Sequence, residues 1–216
     1  MRLVIRCPIR PIAINAEDWS AHDLYFSWTQ SYGGDFEKVL DLDALPVADS
    51  VLVLIPGIDV RLTELKVPAV STKKIQQILP MLIEDELLSS VADTNIQLLP
   101  HAFTQASDLR LVSVMNREWL LWLSQKLAVL NCEQIQLIPE SLLLPVASSV
   151  VFFHQEDSTS FYTAKQSASD IVCWSQPAGE PVFVIEEQHD QQHLQELSAS
   201  LLLNGITTEK KIIRVD

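Results

Sequence analysis

The chain has 216 residues, 48% of them apolar and 20% charged. That is enough apolar material for one large domain or two small ones with no disulfide or metal staple. Fifteen Lys and Arg stand against 28 Asp and Glu, a formal charge of −13, so phosphate backbones and anionic lipid headgroups repel the chain and argue against nucleic-acid binding.

Cys7, Cys132 and Cys173 are odd in number, far apart and without metal or CxxC spacing, which predicts free thiols in a reducing compartment. The opening run Met1 to Arg6 is too short for a signal peptide, and Arg6, Pro8 and Arg10 interrupt it. No window approaches 18 continuous apolar residues, so the expectation is a soluble cytoplasmic chain.

Taken in order, Leu3 to Arg6 reads as a short strand. Asp23 to Thr29 alternates, with Leu24, Phe26 and Trp28 on one face. The turn signal Tyr32-Gly33-Gly34-Asp35 predicts a hairpin into Phe36 to Leu40. Val51 to Ile55 is apolar throughout, as in a strand covered on both faces, and Pro56-Gly57 ends it. From Val60 to Val67 the apolar set changes phase, predicting a bulge or bend near Thr63-Glu64. Ser71 then reads as the N-cap of a helix running to Val91. Ile75, Ile78, Leu79, Leu82, Ile83 and Leu87 form its apolar face, and Pro80 should kink or divide it.

Leu109 to Met115 is a strand and Arg117 to Leu130 a second helix, with Leu120, Leu123, Leu127 and Leu130 on one side. Glu133 to Pro139 returns to strand, and Glu140 to Pro145 is a short turn or helical piece. Val150 to His154, Phe161 to Lys165 and Asp170 to Trp174 predict a three-stranded meander. Pro181 to Ile185 follows as a strand, Glu187 to Asn204 as a helix ended by Gly205, and Ile212 to Val215 as a last strand. The pattern restarts after Ala147. The expected organisation is therefore two related α/β halves, residues 1–146 and a reduced or truncated second half over 147–216.

Local chemistry is sparse. His189 and His193 stand at i and i+4 on a predicted helix, the spacing that grips zinc, but Asp190 occupies the position where the metalloprotease motif needs Glu, and no third ligand stands out. There is no GxSxG elbow, and each cysteine reads as a small buried hydrophobe. Adjacent acids at Glu84-Asp85-Glu86 and Glu186-Glu187 project in different directions rather than forming an acid/base pair. The glycines make neither a dinucleotide fingerprint nor a P-loop. No catalytic residue, cofactor or metal is predicted.

Four segments in order carry a resemblance: Val51 to Gly57, Leu65-Lys66-Val67-Pro68, Ile78-Leu79-Pro80 with Leu82 to Leu87, and Ile138-Pro139-Glu140-Ser141-Leu142-Leu143-Leu144-Pro145. Together they resemble the type II secretion system protein L family. The resemblance implies an actin-like fold, a duplicated ribonuclease-H-like α/β architecture of mixed β-sheets with flanking helices. Members of that fold often bind ATP through a DxG turn after the first strand and a glycine-rich hairpin opening the second half. Here Arg6-Cys7-Pro8-Ile9-Arg10 and His154 to Thr159 stand in those places, without glycine. The resemblance implies a non-catalytic platform component at the cytoplasmic face of the bacterial inner membrane. It would recruit the secretion ATPase, protein E, and act with protein M and other platform components. A transmembrane helix is expected beyond Asp216, and a homodimer is compatible with this picture. Glu84, Asp85 and Glu86 are the candidate partner-binding residues. Two alternatives stand beside it: an adaptor like the type IV pilus assembly protein M, and a degenerate actin-like ATPase or kinase.

Overall fold

A computed structural model describes residues 1–30, 35–87, 89–99, 108–147, 151–156 and 158–178, together with a strand at 194–196. The first part of the chain holds β1 (Arg2–Arg6), β2 (Phe26–Thr29), β3 (Glu37–Val39), β4 (Ser50–Ile55), β5 (Val60–Lys66) and helix α1 (Thr72–Ile83). Next come β6 (Thr94–Leu98), β7 (Leu109–Asn116), helix α2 (Arg117–Leu127) and β8 (Gln134–Pro139). The last strands are β9 (Val151–Glu156), β10 (Thr159–Lys165), β11 (Ile171–Pro177) and β12 (Leu194–Glu196).

One five-stranded sheet runs β3-β2-β1-β4-β8. Its β1–β2 and β2–β3 pairs are antiparallel, and β1–β4 and β4–β8 are parallel. A second sheet, β11-β10-β9-β12, repeats this order: an antiparallel meander with a parallel fourth strand beside its first. The expected duplicated, ribonuclease-H-like α/β architecture is present. A third, antiparallel sheet, β5-β7-β6, is inserted between β4 and β8.

Position in these sheets explains the apolar runs. Strand β4 lies between two parallel neighbours and is covered on both faces, which is why it carries no alternation. Val51, Val53 and Ile55 join Leu3, Ile5 and helix α2 in the main core. Leu52 and Leu54 pack on the opposite face with Val4, Leu144 and Phe152.

The predicted bulge in β5 is absent, because its pairing with β7 runs in unbroken register from Val60↔Met115 to Lys66↔Leu109. The phase change has another cause. Val60 and Leu62 face the main core, whereas Leu65 and Val67 face a separate cluster under α1 with Ile75, Leu79 and Ile83. One strand is buried by two layers in succession, so each half alternates on its own face.

Helix α1 starts at the predicted place, but no side-chain capping bond comes from Ser71. It runs through Pro80 as a single α segment, ends at Ile83 rather than Val91, and tightens into a 3-10 turn at Glu84–Glu86. The proline nitrogen cannot donate back to Gln76, and the helix closes within a turn of that missing bond.

Helix α2 ends at Leu127 rather than Leu130. The predicted leucine stripe packs on the main core, with Leu123 and Leu127 buried and Leu120 and Leu130 partly so, and Trp119 and Trp122 share that buried face. Trp119 stacks on Trp122 at 4.7 Å and meets Trp19 edge-on at 5.0 Å. Phe26 also stacks with Trp122, at 6.2 Å. Asn116 caps the helix by accepting the Trp119 backbone N–H at 2.8 Å.

Leu194–Glu196 pairs parallel with Val151, Phe152 and Phe153, so the helix predicted over Glu187 to Asn204 is interrupted by a strand. The open side of β9 supplies a ladder, which overrides local helical spacing. The strands predicted at Pro181 to Ile185 and Ile212 to Val215, and the rest of that helix, lie outside the described residues. So do Tyr32, Gly33 and Gly34 of the predicted turn, although the β2–β3 hairpin it implies is formed.

Candidate functional site

The carboxyl ends of β1, β4 and β8 converge, the edge of an α/β sheet where ligand sites are ordinarily built. Pro56 ends β4 and the chain enters a 3-10 turn at Gly57–Asp59. Pro139 ends β8 and Glu140 opens a second 3-10 turn to Leu143. Arg6 is the last residue of β1. These three ends are joined by one carboxylate. Glu140 Oε2 accepts from Arg6 Nε at 2.7 Å, and Glu140 Oε1 accepts from Arg6 Nη2 at 3.4 Å and from the Gly57 backbone N–H at 3.0 Å. Both charged side chains are buried. The guanidinium therefore lies buried at the carboxyl ends of β1, β4 and β8.

The second sheet closes over this clamp. A Cβ added to Gly57 would come within 2.8 Å of Cys173 Sγ and 3.4 Å of Ser141 Cβ. The glycine is therefore required by close approach of β11. Cys173 shares a hydrogen bond with Thr163 Oγ1 at 3.4 Å. Lys165 on β10 donates from Nζ to the Leu142 carbonyl at 2.8 Å. Burial lowers its pKa to about 8. Burial also pushes the Cys173 thiol up to about 12, only partly offset by the Thr163 hydroxyl, and raises Cys7 as well. Both thiols stay protonated at neutral pH, the opposite of an activated nucleophile. Beside the clamp, Gly57, Ile58, Val60, Arg61, Leu62 and Ile171 to Cys173 line a cleft of about 290 Å³.

Asp59 is the titrating neighbour. Burial raises its carboxyl to about 6, with Glu140 adding to the rise, against the Arg10 N–H bond at 2.9 Å and the Arg10 and Arg6 charges. A raised folded-state pKa means that this group's favourable contribution is complete below the ordinary carboxylate value and is lost as pH rises through about 6. Asp59→Asn keeps an acceptor for Arg10 and removes the charge. It is expected to stabilise the protein by about 1–2 kcal/mol at pH 8 and to make little difference near pH 4. Denaturant midpoints of both proteins across that range check it, and a difference independent of pH would contradict it.

The acidic triplet lies elsewhere. Glu84, Asp85 and Glu86 are exposed on the 3-10 turn after α1. Glu86 is turned toward β5: it accepts from Thr63 Oγ1 at 3.2 Å, lies 3.7 Å from Arg61 Nη2, and its backbone carbonyl also accepts from Arg61. The side chains of Glu84 and Asp85 have no hydrogen-bond or ion-pair partner among the described residues. The sequence shows these three acids as a run of like charges and gives no sign of the clamp. In the sequence Arg6 closes the first predicted strand and opens the stretch that stands in place of a DxG turn, and Glu140 opens a short turn or helical piece within a segment resembling the family; nothing there pairs the two. His189 and His193 lie outside the described residues. Among the described residues no cluster of His, Cys, Asp and Glu could hold a metal, and no helix is long and apolar enough to cross a membrane.

Comparison with known proteins agrees with the resemblance. The chain shares its fold with the cytoplasmic domain of EpsL, an inner membrane component of the type II secretion system of Vibrio cholerae, at a TM-score of 0.63 and 16% identity over 98% of this chain and 96% of that one. A structure of the PilM-PilN type IV pilus biogenesis complex aligns at a TM-score of 0.38 and 12% identity over 60% of this chain and 43% of that one. A Bacteroides thetaiotaomicron protein of actin-like ATPase fold and unknown function aligns at 0.36 and 8% identity, over 83% of this chain and 70% of that one. No curated protein sequence matches the chain. The family described as type II secretion system (T2SS), protein L, matches residues 29–177, a span that contains the Gly57 and Glu140 signatures of the clamp. The chain belongs to the type II secretion system protein L family.

Proposed function

We propose that this chain is a non-catalytic platform element at the cytoplasmic face of the inner membrane, recruiting the secretion ATPase, protein E, to the membrane components of the machine, protein M among them. The observation that carries the non-catalytic part is the clamp. A bidentate Arg6–Glu140 pair, closed over by Gly57 and Cys173, takes up the sheet end where actin-like chemistry would be housed. Residues 1–146 and 147–216 are then two halves that meet beside that clamp, where Cys173 packs on Gly57 and Lys165 donates to the Leu142 carbonyl.

For the docking surface, Glu84 and Asp85 are the outward acids on a chain of net charge −13. They suit a basic face on the ATPase, with Glu86 held by Arg61 and contributing less.

Calorimetric titration with the N-terminal domain of the secretion ATPase from the same source, at two salt concentrations, tests the reading. Saturable binding that weakens with salt, and falls at least tenfold on Glu84→Lys with Asp85→Lys, is the expected result. Salt-independent binding, unchanged by the two reversals, removes the acidic turn and keeps the adaptor. Absence of binding by folded protein removes the adaptor. Mg-ATP that raises the transition temperature would overturn the non-catalytic part, since specific binding stabilises by mass action.

A further inference from the structure

Strands β5 and β11 are edges of two different sheets. Among the described residues β5 pairs only with β7, and β11 only with β10. Both edges face the same cleft. Val60, Arg61 and Leu62 line one wall, Ile171, Val172 and Cys173 line the other, and the walls draw together where Cys173 packs on Gly57.

The ladders fix which main-chain groups point into this cleft. In an antiparallel pair, residues bonded to the partner strand alternate with residues whose N–H and C=O point away from it. Val67 donates to the Asp108 carbonyl at 2.9 Å, so Leu65, Thr63 and Arg61 direct their main-chain groups to β7. Val60, Leu62 and Glu64 turn theirs outward. On β11 the phase is set from both ends, by Gln166 donating to the Asp170 carbonyl and Ala178 to the Ser158 carbonyl. Val172, Trp174 and Gln176 are therefore bonded to β10, and Ile171 and Cys173 face outward.

The Val60 N–H is taken by the Gly57 carbonyl. The Val60 carbonyl and both main-chain groups of Leu62, Ile171 and Cys173 have no hydrogen-bond partner among the described residues. Val60 and Leu62 are only 6% and 8% exposed, and main-chain groups so placed are almost always paired.

We propose that this cleft takes an extended stretch of a partner polypeptide, two or three residues of which lie between β5 and β11 and bond to the outward groups of both. Spacing selects a peptide. The outward groups recur at every second residue, about 7 Å apart, which is the repeat of another extended main chain. Adding a strand to an open sheet edge is an established mode of peptide capture, and here two edges offer it at once. Charge selects an uncharged stretch. Arg61 is the one charged side chain among the described residues of the walls, and Glu86 already holds it through its carboxylate and its carbonyl. Ile58, Ile171 and Val172 supply apolar contact instead.

Amide hydrogen exchange of the ¹⁵N-labelled chain, with and without the blocked peptide acetyl-Val-Thr-Val-Thr-amide, tests this. Capture through the main chain tolerates many sequences, so a neutral peptide of high strand propensity is a sufficient probe. A few main-chain bonds give millimolar affinity, so at roughly 10 mM peptide exchange at Leu62, Ile171 and Cys173 should slow about fivefold to tenfold. Exchange at Arg61 and Val172, whose N–H groups are held by β7 and β10, should change little. The same peptide N-methylated at both valines keeps its side chains but loses the donors toward one wall, and should give less than half of that protection. No protection by the unmodified peptide overturns the proposal, and so does equal protection by the methylated one. Protection already present without peptide overturns it as well. If constant, it assigns the cleft to this chain's own residues; if it rises with protein concentration, it assigns the cleft to a second copy.

Discussion

Replacing Glu140 by alanine is expected to cost about 3–5 kcal/mol, which for a chain of this size lowers the transition temperature by roughly 6–20 °C. The loss exceeds that of an ordinary ion pair because the acid serves three donors at once: Arg6 Nε at 2.7 Å, Arg6 Nη2 at 3.4 Å and the Gly57 backbone N–H at 3.0 Å. With both side chains buried, truncation takes from a buried guanidinium the carboxylate that balances its charge, and water replaces that carboxylate poorly.

Glu140→Gln keeps a neutral acceptor for Gly57 and should cost less. Arg6→Met combined with Glu140→Leu removes both charges and should recover at least half of the single-variant loss, because an apolar pair of similar volume carries no desolvation penalty. Thermal and urea denaturation of wild type, Arg6→Met, Glu140→Leu and the double variant give the coupling directly. A cost below about 1 kcal/mol for Glu140→Ala, the range of exposed pairs, would show that the clamp is not holding the three strand ends together.

Trp119→Ala is expected to be equally severe, about 3–5 kcal/mol, through packing rather than charge. The indole is fully buried between Trp19 and Trp122, and the stack continues to Phe26. It therefore ties the 3-10 turn at Ala16–Ala21 and strand β2 to helix α2. Its Nε1 has no partner among the described residues, so Trp119→Phe gives up no hydrogen bond and leaves a smaller cavity. The expected order is wild type, then Phe about 1–2 kcal/mol lower, then Ala. If Phe proved as costly as Ala, an unseen partner for the indole N–H, not volume, would be responsible.

Much of the fold is legible in the order of residues. Val51 to Ile55 could only be a doubly covered strand, and the meander from Val151 to Pro177 follows from its spacing and polar turns. The same local logic misjudged β5. Its apolar positions shift phase because two different clusters bury its two halves, and a single strand's sequence does not say how many layers surround it. Helix α2 buries the leucine face that its spacing announces, but the spacing does not say that Trp119 and Trp122 widen that face by stacking. At 194–196 a vacant ladder position on β9 outweighed helical periodicity.

The acidic turn at Glu84–Glu86 was visible as a run of like charges, but its division into an inward Glu86 and outward Glu84 and Asp85 was not. That division depends on Arg61 and Thr63 of a neighbouring strand. Arg6 and Glu140 are 134 residues apart, and neither has a neighbour in sequence that announces the other.

By itself the sequence determined the strand and helix positions along most of the described chain, the α/β class and the family resemblance. These rest on periodicity, turn chemistry and short ordered segments, all of which act within a few residues. Only the tertiary structure decided which charges were buried together, why Gly57 must lack a side chain, and that the edges of β5 and β11 face one cleft. Those features arise where distant segments meet, and desolvation and close packing act through space without regard to separation along the chain.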